Sequence, residues 1–488
     1  MGVSGVCSPA VALVGREAGG VRGRRGYDAG VAELDPPKHA ASAVPPLAAA
    51  PALAANLPAS PAVLPAGLRR KVAWRLLPYL FVIYIVAFLD RVNISYAALA
   101  MRGDLHFSSE VLGTGMGVFF LGYFLLEIPS TWIVERWSAR RWMARIMVTW
   151  GVVAMATSLI HSAAAFYWLR FLLGAAEAGF FPGLIVYLGH WFTAEDKGKA
   201  VALFMAALPV SFLLGAPVSG AILGLHWMGW AGWRWLFVLE GAPAIVFGLV
   251  NLRALTDWPR EARWLEAGER ETLAAAIARE AAPQPAALKV GAFLRRREIW
   301  LLAVAYLLIC SASYGFGLWL PSLLKRASGG ASNFTVSLWA ALPYAVALAA
   351  MVWFGWSSDR RQERRWHTAA AVWLMAAGLA IAAYATHMHG GAAWGWTLGG
   401  FLLAGAGVYS YMPSFWALPS AYLSGTAAAV AIGTINSIGN LGGFVGPFLM
   451  GWIETRTGSF ALGMVLLAGL LAASGLLALA LPRAEARA

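Results

Sequence analysis

From Arg69 onward the chain is a succession of twelve apolar runs, each about 20–26 residues long and separated by short polar breaks. They fall near 74–100, 110–134, 142–161, 165–191, 200–224, 234–254, 298–322, 335–356, 367–387, 394–418, 427–452 and 459–481. At about 1.5 Å of rise per residue, each crosses a hydrocarbon layer of about 30 Å with some tilt. No water satisfies backbone groups in that layer, so each run must bond internally as a helix. No alternating ten-residue strands support a barrel. The expected fold is an all-α membrane protein with twelve transmembrane helices. Composition agrees: 60% of residues are hydrophobic and 12% charged. Soluble domains carry about 25% charged residues, so a soluble enzyme is excluded. With two cysteines, Cys7 and Cys310, there is no disulfide scaffold.

The formal net charge of +13 would hint at nucleic acid in a soluble protein. Its distribution says otherwise. With the N-terminus inside, 25 Lys and Arg fall on the cytoplasmic side and five on the other. The inner set includes Arg69–Lys71, Arg140, Arg141, nine residues from Arg253 to Arg297, and Arg360–Arg361. The outer set is Arg102, Arg234, Lys325, Arg326 and Arg456. This asymmetry places both termini in the cytoplasm and makes a nucleic-acid partner unnecessary.

Residues 1–67 are rich in Ala, Pro and Gly and hold no span. They read as a disordered cytoplasmic leader, or as a start assigned too far upstream. A six-helix half at 68–254, a linker at 255–297, a second half at 298–482 and a tail at 483–488 follow. The linker holds an amphipathic stretch (Trp258, Trp264, Leu265, Leu273, Ile277) and a break at Pro283 and Pro285. Six plus six suggests an internal repeat. The second loops agree: TWIVERWSARR (131–141) and GWSSDRRQERR (355–365) carry acid–Arg pairs at Glu135–Arg136 and Asp359–Arg360. These four residues are candidates for a gating loop.

On these residues the chain resembles the major facilitator superfamily. Gly355-x-x-x-Asp359-Arg360 matches the core of its signature loop, although Gln362 stands where a second Gly is usual. In the first copy Thr131 and Ser138 replace Gly, and Glu135 replaces Asp. Within that superfamily the chain is similar to the anion:cation symporters of bacteria. The matching segments are FLDRVN (88–93), RFLLGAAEAGFFPG (170–183), GWRWLFVLEG (232–241), DWPREARWL (257–265), YGFGLWLP (314–321), ERRWH (363–367), FWALPS (415–420) and NSIGNLGGFVGP (436–447).

Charge inside the spans is the anomaly. Asp90 and Arg91 lie just past the middle of span 1, Glu177 near the middle of span 4, and Arg170 about 10 Å outward of it. Each costs about 2.5–3.5 kcal/mol on insertion scales. Adjacent helix residues do not face each other, so Arg91 needs a partner other than Asp90. One reading is mutual neutralisation in a buried network that holds helices together. Hydrophobic residues usually serve that end as well, and intramembrane ionisable groups mark transport pathways. The other reading is that the arginines bind an anion and the acids carry protons. The resemblance implies the same roles: Arg91 as carboxylate ligand, Asp90 and Glu177 as proton sites.

Weaker substrate-site candidates are Tyr123, mid-span 2, and Asn436 and Asn440, one turn apart in span 11. Packing and interhelical hydrogen bonding are their alternatives. Tyr314 and Trp416 could wall a pocket. Glu127 and Glu240, nearer span ends, read as structural pairs. The Gly and Pro residues of spans 5 and 11 suit close approach and bending. None of the eight histidines lies mid-span, so neither a metal nor another cofactor is expected. The reading is a monomeric proton-coupled symporter of a small organic anion in the bacterial inner membrane. The resemblance implies a sugar acid, a tartrate-like hydroxy acid or an aromatic acid. An exchanger or uniporter on the same fold is the rival. A membrane sensor would need a signalling domain for which linker and tail leave little room, and an enzyme would need a catalytic constellation that no motif supplies.

Overall fold

The computed structural model describes residues 64–280, 296–422 and 425–482. Most of the leader, the Pro283–Pro285 break and the tail lie outside the described residues. Among the described residues the regular structure is helical. In chain order the first helices are α1 (Ala66–Asp104), α2 (Ser109–Arg136), α3 (Ala139–Ala156), α4 (Ala163–Glu177) and α5 (Phe180–Trp191). Next come α6 (Ala194–Met205), α7 (Ala207–Leu223), α8 (Gly232–Ala254) and the linker helix α9 (Ala267–Glu280). The second set is α10 (Arg297–Ala327), α11 (Asn333–Arg361), α12 (Arg365–Ala385) and α13 (Gly390–Val408). It ends with α14 (Met412–Phe415), α15 (Leu418–Tyr422), α16 (Gly425–Asn440), α17 (Gly442–Thr457) and α18 (Ala461–Leu479).

The polar breaks start helices as their chemistry requires. Ser108, Ser138, Ser162 and Ser332 each accept a hydrogen bond from the backbone N–H three residues on, at 3.1–3.3 Å. Among the described residues, ten segments are long and apolar enough to cross a membrane, counting α4 with α5 and α6 with α7. The two other expected spans, 394–418 and 427–452, fold as interrupted helices. Pro413 and Pro419 break up the chain after α13, and α16 and α17 meet at Leu441.

Packing repeats between the two sets. In the first, α3 packs on α8, α2 on α4, and α1 on α7 and α8. In the second, α12 packs on α18, α11 on α13, and α10 on α16, α17 and α18. The sets meet through α2 with α17, α7 with α11, and α1 with α10. Small residues permit this. A Cβ on Gly446 of α17 would lie 1.8 Å from the Ser311 carbonyl of α10, so nothing larger than Gly fits the crossing.

The outer surface carries an apolar belt in which Leu125, Ile128, Val152, Val246 and Leu476 are all more than 50% exposed. That pattern suits lipid and not water. At the Lys/Arg-rich end, Arg136 lies over the Trp132 ring (4.4 Å), Arg145 over Trp142 (3.8 Å) and Arg360 over Trp356 (5.4 Å). Such pairs anchor a bundle at a headgroup layer. The linker docks at this end. Asp257 accepts from Ser138 Oγ (2.7 Å) and the Arg140 N–H (2.8 Å). Leu265 and Leu273 are buried, while Trp258 is 45% exposed over His190. Lys71 donates to Glu269 (2.6 Å), which ties α9 to α1 and holds the Glu269 carboxyl below the usual range.

Candidate functional site

Span 4 breaks at its one carboxylate. α4 ends on Glu177, Ala178 turns out of the helix, and Gly179 takes φ +82° before α5 restarts at Phe180. That φ is left-handed backbone, open to Gly without a Cβ penalty. A Cβ there would also sit 2.2 Å from Ser130 Oγ of α2. The Ala-Glu-Ala-Gly sequence thus delivers a carboxylate to the end of a half-helix inside the bundle.

Arg91 of α1 forms an ion pair with Glu177. The Glu177 side chain is 2% exposed and that of Arg91 12%, so the pair opens only on the arginine side. Three rings surround the guanidinium: Phe88 (4.9 Å), Phe119 (5.4 Å) and Tyr123 (5.2 Å). Tyr314 of α10 reaches it from the second set of helices and packs on Phe120 at 4.4 Å. Arg91 Nε is buried with no hydrogen-bond partner. A bound guanidinium with a spare donor and an open side can take an anion.

Hydrogen bonds do not join the four intramembrane charges into one chain. Asp90, next to Arg91, points away and accepts from Trp150 Nε1 of α3 (2.8 Å) and Asn93 Nδ2 (3.4 Å). Arg170 is 1% exposed. Its Nε donates to the Gly115 carbonyl (3.2 Å), and its guanidinium lies 5.1 Å from the Phe119 ring. Phe119 therefore stands against both arginines.

The asparagines face an unexpected partner. Asn436 Nδ2 donates to Glu127 Oε1 (3.1 Å) and Asn440 Nδ2 to Glu127 Oε2 (3.3 Å). Glu127 is 6% exposed, and its carboxylate accepts from amides of the other set of helices. Four residues separate it from Tyr123, so the two share one face of α2. Glu240 does stay within its own set, accepting from Ser219 (2.7 Å). Trp416 packs edge-on against Tyr306 (4.9 Å) and is half-buried.

At the Lys/Arg-rich end, Glu135, Arg136, Asp359 and Arg360 are all exposed, and Asp359 is held within its own loop by Arg364 (2.6 Å). The opposite end is tied shut between the two sets. Glu454 of α17 pairs with Arg102 of α1 (3.3 Å) and Arg326 of α10 (3.0 Å). The Glu110 N–H donates to Thr455 Oγ1 (2.8 Å).

Sequence reasoning named Arg91, Glu177 and Tyr123 as separate site candidates, and the three meet. It missed Glu127, which the Tyr-x-x-x-Glu spacing in span 2 could have flagged. It also missed Trp150 as the Asp90 donor, for which a lone Trp carries no signal.

Comparison with known proteins bears on the whole chain. The family description Major Facilitator Superfamily matches residues 80–447. A protein named "Putative tartrate transporter" from Agrobacterium vitis is 45% identical over 86% of this chain and 92% of its own length. "Inner membrane transport protein RhmT" of Escherichia coli is 35% identical, covering 81% and 90%. Among solved structures, an inward-facing, occupied bacterial homolog of the human lysosomal transporter Spinster superposes with a TM-score of 0.66. It is 17% identical and the match covers 83% of this chain and 95% of that one, a likeness of fold. With the doubled six-span packing, these matches settle the family: the chain belongs to the Major Facilitator Superfamily, whose members are membrane transporters and not enzymes.

Proposed function

We propose that the protein is a proton-coupled symporter of an organic carboxylate in a bacterial inner membrane. The observation that carries this reading is the Arg91–Glu177 pair, buried on the acid's side and open on the arginine's. An incoming carboxylate takes the Arg91 fork in two parallel hydrogen bonds. Glu177 then loses its counter-charge inside an apolar bundle and gains a proton. By linkage, the proton favours the anion equally. The name of the Agrobacterium vitis relative supports a hydroxy-acid cargo, and that of the Escherichia coli relative the inner membrane.

Transport follows from rocking of 68–254 against 298–482. The Arg102–Glu454–Arg326 cluster closes one end. By the charge asymmetry this is the outer end, so the described state serves release to the cytoplasm. Glu135, Arg136, Asp359 and Arg360 re-form contacts across the inner end when it closes. Asp90 is the second proton site, Arg170 backs the Phe119 wall, and Tyr123, Tyr314, Trp416, Asn436 and Asn440 line the cargo space. One chain carries all of these, so a monomer suffices.

The test is transport by the purified protein in vesicles. Adding a substrate carboxylate should raise the pH of a weakly buffered medium as protons enter with it. Uptake that moves no protons would favour exchange or uniport and overturn the coupling.

A further inference from the structure

Glu127 is a buried carboxylate that the transport reading does not use. It sits inside the bundle, 6% exposed, and its carboxylate accepts from two amides of the other half of the molecule. Each of its oxygens accepts one amide proton, Oε1 from Asn436 and Oε2 from Asn440. An ionised carboxylate offers about four lone-pair sites, so about two acceptor sites stay unfilled.

Its position relative to Arg91 fixes what could fill them. The Tyr123 ring centre is 5.2 Å from the Arg91 guanidinium. Glu127 follows one helical turn, about 6 Å, further along the same face of α2. Arg91 and Glu127 thus both border the Tyr123 face of α2. Asn436 and Asn440, which hold Glu127, are half-buried. An elongated ligand whose carboxylate lies on Arg91 brings its far end to Glu127. In its ionised form Glu127 only accepts, so that end carries hydrogen-bond donors that are not themselves anionic. Alcohol hydroxyls fit, and a bare alkyl chain leaves the carboxylate's desolvated lone pairs unmet.

We infer that Glu127 is a specificity-determining residue that reads the hydroxyl groups of the cargo, and that the cargo is a hydroxylated carboxylic acid. This rests on Arg91 holding the carboxylate, as proposed above. Asn436 and Asn440 orient Glu127 and tie the reading to the half of the molecule that moves. A site built to bond a hydroxyl rejects the analogue lacking it far more strongly than an apolar pocket rejects an extra group.

The test is calorimetric binding to the purified full chain in lipid nanodiscs, with two matched pairs of elongated monocarboxylic acids: gluconate and hexanoate, 8-hydroxyoctanoate and octanoate. The wild type should prefer the hydroxylated member by about tenfold or more in at least one pair. Glu127→Gln keeps the size and one acceptor for the asparagines, and should cut that preference to within about threefold of unity. If Glu127→Gln is not monodisperse, Glu127→Asp carries the test, because its carboxylate is withdrawn by one methylene and the preference should still fall. A preference unchanged in the variant, or absent in the wild type while binding depends on Arg91, overturns the role of Glu127 alone. No binding of any acid, or binding that survives Arg91→Lys at full strength, overturns the carboxylate site on which it rests.

Discussion

Arg91 and Glu177 pair across two helices at the residue where one of those helices stops. The break matters as much as the charge. A carboxylate inside a continuous helix is fixed by the helix, whereas Glu177 ends α4 next to a left-handed glycine. Breaking a buried pair by removing one partner typically costs 3–5 kcal/mol. A bound anion avoids most of that by replacing the partner and not merely removing it. In the proposed cycle the pair is therefore stable when empty and exchangeable when cargo arrives.

Arg91→Lys should keep the positive charge opposite Glu177 and lose the fork. A lysine ammonium cannot form the two parallel bonds that a carboxylate accepts from guanidinium. Carboxylate affinity should fall about tenfold or more, with thermal unfolding shifted by only a few degrees. Calorimetry and a melting curve on the same sample check both halves. Unchanged affinity would move the anion site elsewhere.

Glu177→Gln fixes the neutral form. Substrate-for-substrate exchange, which needs no net proton release, should continue, and uptake driven by a pH gradient should stop. Asp90→Asn should behave alike, because the asparagine oxygen can still accept from Trp150 Nε1, a 2.8 Å bond in the native protein. Both activities are to be measured in one vesicle preparation. Gradient-driven accumulation by the Gln variant would remove Glu177 as an obligatory proton carrier.

How far the sequence revealed this depends on the kind of signal. Span positions are legible because a hydrocarbon layer imposes one length on every helix. The rotation of each helix is not, and rotation decides partners. Asp90 and Arg91 are neighbours in sequence but serve different sets, one toward Trp150 and one toward Glu177. Arg170 and Glu177 share a face of α4, yet Arg170 turns to the Gly115 carbonyl. The resemblance supplied candidate roles, but the meeting of Glu127 with Asn436 and Asn440 joins residues more than 300 apart. No local pattern encodes such a contact.

Gly179→Ala should destabilise the protein by about 1–3 kcal/mol. Its φ of +82° penalises any Cβ, and the added carbon would meet Ser130 Oγ at 2.2 Å. Gly469→Ala is the control: it lies in α18 with nothing within 4 Å of a new Cβ, so it should be neutral or slightly stabilising. The difference in midpoint temperature between the two variants is the readout. Equal effects would mean that the break after Glu177 is not held by Gly179.

The final prediction concerns the end closed by Glu454. Its tie to Arg102, and the bond from the Glu110 N–H to Thr455, join the two halves, while Arg326 holds Glu454 from within its own half. If cargo enters there, the contacts between the halves must part in every cycle. Cysteines placed at Glu110 and Thr455 would lie side by side in the closed form, since the native Glu110 N–H and Thr455 Oγ1 are 2.8 Å apart. The background is Cys7→Ser with Cys310→Ala, which removes the two native thiols. Oxidation should then stop uptake in vesicles, and a reducing agent should restore it. Each single cysteine should transport with or without oxidant. Binding from the opposite, Lys/Arg-rich end should survive the crosslink, because the crosslink does not bridge that end. Uptake that persists in the fully crosslinked protein would mean that this end does not open, and the rocking scheme would have to be replaced by one in which the halves stay joined here.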